Sequence, residues 1–192
     1  DPGAYTGDLS ASMLVDLGAR YVIVGHSERR AFHAETAPLL RDKIAAARRA
    51  GLTPIICVGE SLEVRKAGQH EDFVRGQLDE LFGEAATTSA PDAGWVLAYE
   101  PIWAIGTGEV ATPQQAQEMS ATIRAHLETL HAPWSAQSIL YGGSVKAANA
   151  RELADQPDVD GFLVGGASLG ATNFGTIITE TIAAKAAQTP TP

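Results

Sequence analysis

Apolar positions along the 192-residue chain follow two patterns in turn. Short runs rich in Val, Ile, Leu and Tyr recur at Tyr21–Val24, Pro54–Val58, Trp95–Tyr99, Ile139–Tyr141 and Gly161–Val164. Each run is continuous rather than alternating, as for strands buried on both faces of a parallel sheet. Between them the apolar spacing becomes helical. From Pro113 to about Leu130, residues Ala116, Met119, Ile123, Leu127 and Leu130 share one face. Thr112 suits the N-cap, Pro113 the first helical position, and Gln115 completes a capping box. A second helix starts after Thr36, turns Leu40, Ile44 and Ala47 inward and stops at Gly51. Others are predicted near Ser10–Leu17, His70–Phe82, Ala147–Ala154 and Asn173–Ala186. Thr87–Gly94 reads as a polar connection. Residues 1–187 read as one domain and Gln188–Pro192 as a flexible tail.

Strict alternation of strand and helix implies a parallel sheet with helical crossovers. A doubly wound sheet and a barrel both fit that order. No G-x-G-x-x-G follows a strand here, and groups suited to chemistry follow four different strands: His26, Glu100, Ser144 and the pair Gly165-Gly166. Active sites assembled from many strand ends are the habit of the (β/α)₈ barrel. The expected fold is therefore an α/β TIM (β/α)₈ barrel, represented here by one helix and five strand–helix units.

Composition narrows the function more than the fold. Apolar residues make up 45% and charged residues 19%, a globular balance. No apolar run approaches the roughly 20 residues of a membrane span. Asp1-Pro2-Gly3 carry neither a basic nor an apolar leader region, so no signal peptide is expected. The single cysteine, Cys57, forms no internal disulfide, which fits a cytoplasmic setting. A net charge of -9 argues against nucleic-acid or anionic-membrane partners. A small phosphorylated substrate remains compatible, because a few backbone N–H groups suffice to hold a phosphate.

Four stretches carry the candidate chemistry. In Gly25-His26-Ser27-Glu28-Arg29-Arg30, a short helix opening at Ser27 would aim its free N–H groups back at His26 and disfavour the imidazolium. In Tyr99-Glu100-Pro101-Ile102-Trp103-Ala104-Ile105-Gly106-Thr107-Gly108, a strand-end carboxylate precedes an apolar loop able to close, expel water and press Glu100 against a C–H. Tyr141-Gly142-Gly143-Ser144-Val145 and Val164-Gly165-Gly166-Ala167-Ser168-Leu169 are glycine pairs after the last two strands, where barrels often bind phosphate. Taken singly, each has a plainer reading: a structural histidine, a surface Glu-Pro turn, two tight turns.

Together these strings resemble the triosephosphate isomerase family. G-H-S-E-R-R, C-V-G-E, Y-E-P-x-W-A-I-G-T-G, Y-G-G-S-V and V-G-G-A-S-L occur in that family's order, from Gly3 to the last helix. The resemblance implies an aldose–ketose isomerase of glycolysis and gluconeogenesis that interconverts dihydroxyacetone phosphate and D-glyceraldehyde 3-phosphate through an enediolate. Glu100 would be the base and His26 the neutral proton shuttle; the family is itself the standard case of a helix terminus keeping a histidine neutral. Pro101–Thr107 would be the lid, and backbone N–H groups of Gly106, Ser144, Gly165 and Gly166 would hold the phosphate. Ser27, Glu28, Tyr141 and Cys57 would support the site, Glu28 by pairing with a lysine and Tyr141 by steadying the closed lid. Cys57 has a stronger plain reading as a small core residue. Arg29 and Arg30 read as structural ion pairs. No metal or organic cofactor is implied. A homodimer is expected through the Asp1–Gly7 region, with Thr6 near the tip that enters the partner's site.

Against the family order, the five units correspond to the fourth to eighth of a barrel that typically spans about 250 residues. The resemblance places an asparagine and a lysine of the site further upstream. Lys43, Lys66, Lys146 and Lys185 fall in or beside predicted helices rather than at a matching strand end. The site is thus expected to be incomplete and the outer strands at Tyr21–Val24 and Gly161–Val164 to be open edges, so that the chain alone is inactive or unstable. Two other readings stay open: an inactive remnant that only associates with other chains, and a different phosphate-binding barrel such as a sugar-phosphate epimerase.

Overall fold

The computed structural model describes residues 3–88, 94–107 and 109–188. Helix α1 (Ala11–Asp16) leads into β1 (Tyr21–Val24), α2 (Ser27–His33), α3 (Ala37–Arg49), β2 (Thr53–Val58), α4 (Leu62–Lys66), α5 (His70–Thr88) and β3 (Val96–Tyr99). There follow α6 (Pro113–Leu130), β4 (Ile139–Tyr141), α7 (Ala150–Ala154), β5 (Gly161–Phe162) and α8 (Ala171–Gln188), with short 3₁₀ turns at Ile102–Ala104, Ala132–Ala136 and Gly166–Leu169. The strands form one parallel sheet in chain order, β1 to β5. The chain carries the TIM-barrel architecture expected of it, five strands side by side with helical crossovers.

Register ties the strands into buried rows. Val24 faces Ile56, Ile56 faces Leu97 and Leu97 faces Ile139, and all four are buried. The outer layer packs onto this sheet chiefly through α6, whose Ala116, Met119, Ile123 and Leu127 are fully buried. Phe82, Trp95 and Trp134 form an aromatic cluster with ring centroids 5.0–5.9 Å apart, joining α5, the start of β3 and the turn after α6. Arg124 of α6 reaches Asp158 at 2.7 Å and Asp160 at 2.8 Å, pinning that helix to the entry of β5. The flanks are less covered: β1 exposes Tyr21 and Ile23, and α8 exposes Phe174, Ile178 and Ile182.

Several boundaries differ from the sequence reading. Helix α5 continues to Thr88, so Thr87 and Thr88 are helical rather than part of a connection, and residues 89–93 of that expected connection lie outside the described residues. The five-residue α4 is set by a Ser61 N-cap that accepts from Val64 N; with so few residues it shows no apolar periodicity. Lys146 to Asn149 form a turn closed by the Asn149 side chain, which delays α7 to Ala150. Strand β5 pairs only at Gly161 and Phe162. Gln188 closes α8 by donating to the carbonyls of Ala154 and Asp155, while 189–192 lie outside the described residues, as do Asp1, Pro2 and Gly108.

The capping box at the start of α6 is formed in both directions: Gln115 N donates to Thr112 Oγ1 at 3.2 Å and Thr112 N donates to Gln115 Oε1 at 2.9 Å. Thr112→Ala is expected to lower stability by about 1 kcal/mol in a denaturant melt, without altering the far-ultraviolet spectrum.

Candidate active site

Parallel pairing brings the strand ends to one rim, and loops from four of them line a cleft of about 360 Å³. His26 enters after β1, Glu100 and Gly106 after β3, Ser144 after β4, and Gly165 and Gly166 after β5. The candidate acid–base pair and the candidate phosphate loops are thus gathered in one place.

His26 caps α2. Glu28 N donates to its Nδ1 at 3.3 Å, while the Glu28 carboxylate stands off at 3.9 Å. A nitrogen that accepts an amide proton carries none itself, so the ring proton resides on Nε2. Nε2 faces the cleft and lies 2.8 Å from Oε1 of Glu100. That approach is poorly aligned, and Oε1 has no proper hydrogen-bond partner. The other carboxylate oxygen accepts the Ser27 N–H at 3.0 Å, so α2 orients both groups.

Glu100 is 2% exposed. Burial lifts its carboxyl above the ordinary carboxylate range, and His26, the Ser27 amide, the Cys57 thiol and the Arg30 guanidinium offset this only in part. Burial and the Glu100 charge in turn push the Cys57 thiol well up, which makes it an unreactive wall. Arg30 makes no ion pair among the described residues. It donates to the carbonyls of Gly25 and Cys57, both at 2.8 Å, and so ties the ends of β1 and β2 together. Arg29 does form the expected structural pair, with the buried Glu35, which Lys43 also reaches. The approach of β2 to Glu100 demands a glycine: a Cβ on Gly59 would lie 1.7 Å from the Glu100 carbonyl oxygen.

The loop after Glu100 is anchored from below. Trp103 Nε1 donates to Glu60 Oε1 at 2.9 Å, Tyr99 Oη donates to the same oxygen at 3.1 Å, and Arg65 reaches it at 3.3 Å. Glu60 is fully buried. Gly106 turns the loop at φ +69°, a left-handed conformation that favours glycine. Tyr141 Oη is buried without an aligned partner, and burial pushes the phenol up to about 12.

Two contributors escaped the sequence reading. Glu60 and Arg65 brace the loop; the signal for Glu60 was a carboxylate directly after a strand, in C-V-G-E. Lys146 lies beside a helix as expected, in the turn before α7, and from there it also lines the cleft two positions past Ser144. Glu28 is exposed, and no lysine pairs with it among the described residues. Thr6 lies in an exposed turn away from the cleft.

A parallel α/β unit with a buried carboxylate, a histidine and glycine loops on its carboxyl rim has the layout of a barrel-type enzyme site. Residues 1–181 match the family model described as Triosephosphate isomerase. The chain is 59% identical over 175 residues to the triosephosphate isomerase of Xanthomonas axonopodis pv. citri, covering 91% of this chain and 69% of that one. It is 56% identical over 173 residues to that of Thiobacillus denitrificans, covering 90% and 69%. With that of Porphyromonas gingivalis it shares 53% identity over 180 residues, covering 93% and 71%. The chain belongs to the triosephosphate isomerase family, which removes the epimerase alternative.

Because the folded Glu100 carboxyl is raised above its unfolded value, the folded state carries a penalty that is absent below the unfolded pKa, grows as pH rises from there to the folded pKa and is fully present above it. Glu100→Gln is therefore expected to stabilise the protein at about pH 8 and to gain less at about pH 5, as read by denaturant midpoints at both.

Proposed function

We propose that the protein is an isomerase interconverting dihydroxyacetone phosphate and D-glyceraldehyde 3-phosphate, with Glu100 and His26 as its proton-transfer pair. The observation that carries the proposal is the paired geometry: Oε1 of a buried, raised-pKa carboxylate 2.8 Å from Nε2 of His26, whose Nδ1 accepts the Glu28 N–H.

Substrate would enter between the two groups. Glu100 takes a proton from the carbon next to the carbonyl and returns it to the neighbouring carbon. His26 donates from Nε2 to the oxygen that gains charge, forming an enediol(ate), and recovers the proton from the other oxygen. A neutral imidazole suits this exchange because it can act as donor and acceptor in turn. The raised carboxyl pKa supplies basicity that an exposed glutamate lacks. Backbone N–H groups of Gly106, Ser144, Gly165 and Gly166 hold the phosphate, with Gly165 and Gly166 opening the 3₁₀ turn before α8. Pro101–Thr107 closes over the cleft and excludes water, and Tyr141 Oη gains a partner from the closed loop. The steps are proton transfers alone and call on no cofactor.

Glu28 then serves to pair with a lysine, and the exposed turn around Thr6 to join a second copy as a homodimer. No helix among the described residues is long and apolar enough to cross a membrane; with the negative charge, this supports a cytoplasmic enzyme without nucleic-acid or membrane partners.

The test is a coupled isomerase assay on the full protein. Glu100→Gln is expected to lower kcat by roughly 10²–10⁴-fold, with inorganic phosphate inhibiting as in the parent. Retention of most of the parent's kcat would sink the base assignment.

A further inference from the structure

Away from the cleft, the start of α5 faces α6 across a group of charged side chains. His70, the first residue of α5, has both ring nitrogens shielded from solvent, and neither has a hydrogen-bond partner. Its Nε2 stands 3.6 Å from Oε1 of Glu118 on α6, too far for a hydrogen bond. A partly buried imidazole with both nitrogens shielded and unbonded forfeits what water would give them, and such an orphan calls for a partner. Glu71 completes the group: ligand atoms from His70, Glu71 and Glu118 all lie within 4.8 Å of one another.

The charges around this group point to a cation. Arg65 takes Oε2 of Glu118 at 3.0 Å and thereby leaves Oε1 toward His70. Arg75 takes Oε2 of Glu71 at 2.7 Å and Asp72 at 3.0 Å. Arg65 also reaches Glu60. This network sets four carboxylates (Glu60, Glu71, Asp72 and Glu118) against two guanidiniums, so with His70 neutral it keeps an excess of two negative charges.

We propose that His70, Glu71 and Glu118 form a site for one divalent cation of the zinc class. One ring nitrogen and one oxygen from each carboxylate make a mixed nitrogen–oxygen donor set, which suits zinc or a neighbouring first-row ion better than magnesium or calcium, whose sites are built of oxygen. The arginines orient the carboxylates from outside, as hydrogen-bonded neighbours of metal ligands do. Glu118 is 45% exposed, so the ion has a path from solvent. Through Arg65 and Glu60 the site lies against the anchor of Trp103, yet it takes no part in the proton transfers proposed above and does not depend on them.

Cobalt(II) chloride titrated into the metal-stripped full protein at about pH 7.5, above the ordinary imidazole pKa, reads the site directly. The expected result is saturable binding of one ion with a visible d–d spectrum and no thiolate charge-transfer band, and displacement of cobalt by zinc. His70→Asn and Glu118→Gln, each with parental far-ultraviolet dichroism, should weaken binding by about tenfold or more. Since Glu118 is half exposed, its variant tests the site even where the His70 variant misfolds. Absence of saturable binding in the parent, equal affinity in a folded variant, or a thiolate band pointing to Cys57 would overturn the proposal.

Discussion

Parallel pairing of strands that neighbour one another in chain order forces every carboxyl end onto the same rim. Everything proposed about the cleft depends on that constraint. It is why the Ser27 amide and the Glu100 carboxylate meet at 3.0 Å although 73 positions separate them. The constraint also brings strand ends close enough that side chains become obstacles. A Cβ at Gly59 would strike the Glu100 carbonyl, and one at Gly142 would lie 3.1 Å from Glu100 Cγ. The two glycines leave room for Glu100, Gly59 beside its backbone carbonyl and Gly142 beside its side chain. Glu100 N donates to Val58 O at 2.8 Å and Gly142 N to Tyr99 O at 2.7 Å, so the ladder extends one residue past the strands and fixes the Glu100 backbone.

The same burial that positions Glu100 makes it costly. A carboxylate with one oxygen unpartnered and 2% exposure is poorly compensated. Nearby Arg30 could have relieved it by a direct pair, but a close guanidinium would hold the carboxyl low and remove its basicity. Arg30 instead spends its N–H groups on the Gly25 and Cys57 carbonyls and acts on Glu100 only at a distance. Burial lowers the Arg30 pKa as well, so neither charge is fully compensated by the other. A site arranged for stability would not keep them apart.

The strands and principal helices were legible in the sequence because a two-sided parallel strand and an amphipathic helix each impose a period on apolar residues. The Thr112–Gln115 box and the inward face of α6 could be named residue by residue. What stayed hidden lacked a period. Helix α4 has five residues, and the extension of α5 to Thr88 runs through small and polar residues that also suit a loop. The cleft residues were legible mainly through signature strings, since a single His or Glu-Pro has plainer readings. The start of α7 was set too early for a local reason: the Asn149 side chain holds a turn over residues where helical spacing alone suggests the helix has begun. Arg30 was expected in an ion pair because sequence gives its charge but not the two carbonyls within its reach.

The loop over the cleft rests on an uneven carboxylate. Glu60 Oε1 receives Trp103, Tyr99 and Arg65, while its Oε2 has no partner. A motion that carried Trp103 away would leave Tyr99 and Arg65 on the buried charge. The loss is then one hydrogen bond to a charged group, about 1.5–3 kcal/mol, rather than the larger penalty of an uncompensated buried ion, about 3–5 kcal/mol. Arg65, 5.5 Å from the centre of the Trp103 ring, would lose a stacking contact too but keep its pairs with Glu60 and Glu118. On the other side of the balance, the proposed closure would offer Tyr141 Oη the aligned partner it lacks here. For the lid closure proposed above, a gap of a few kcal/mol lies within what a bound phosphate and its loop contacts could overturn.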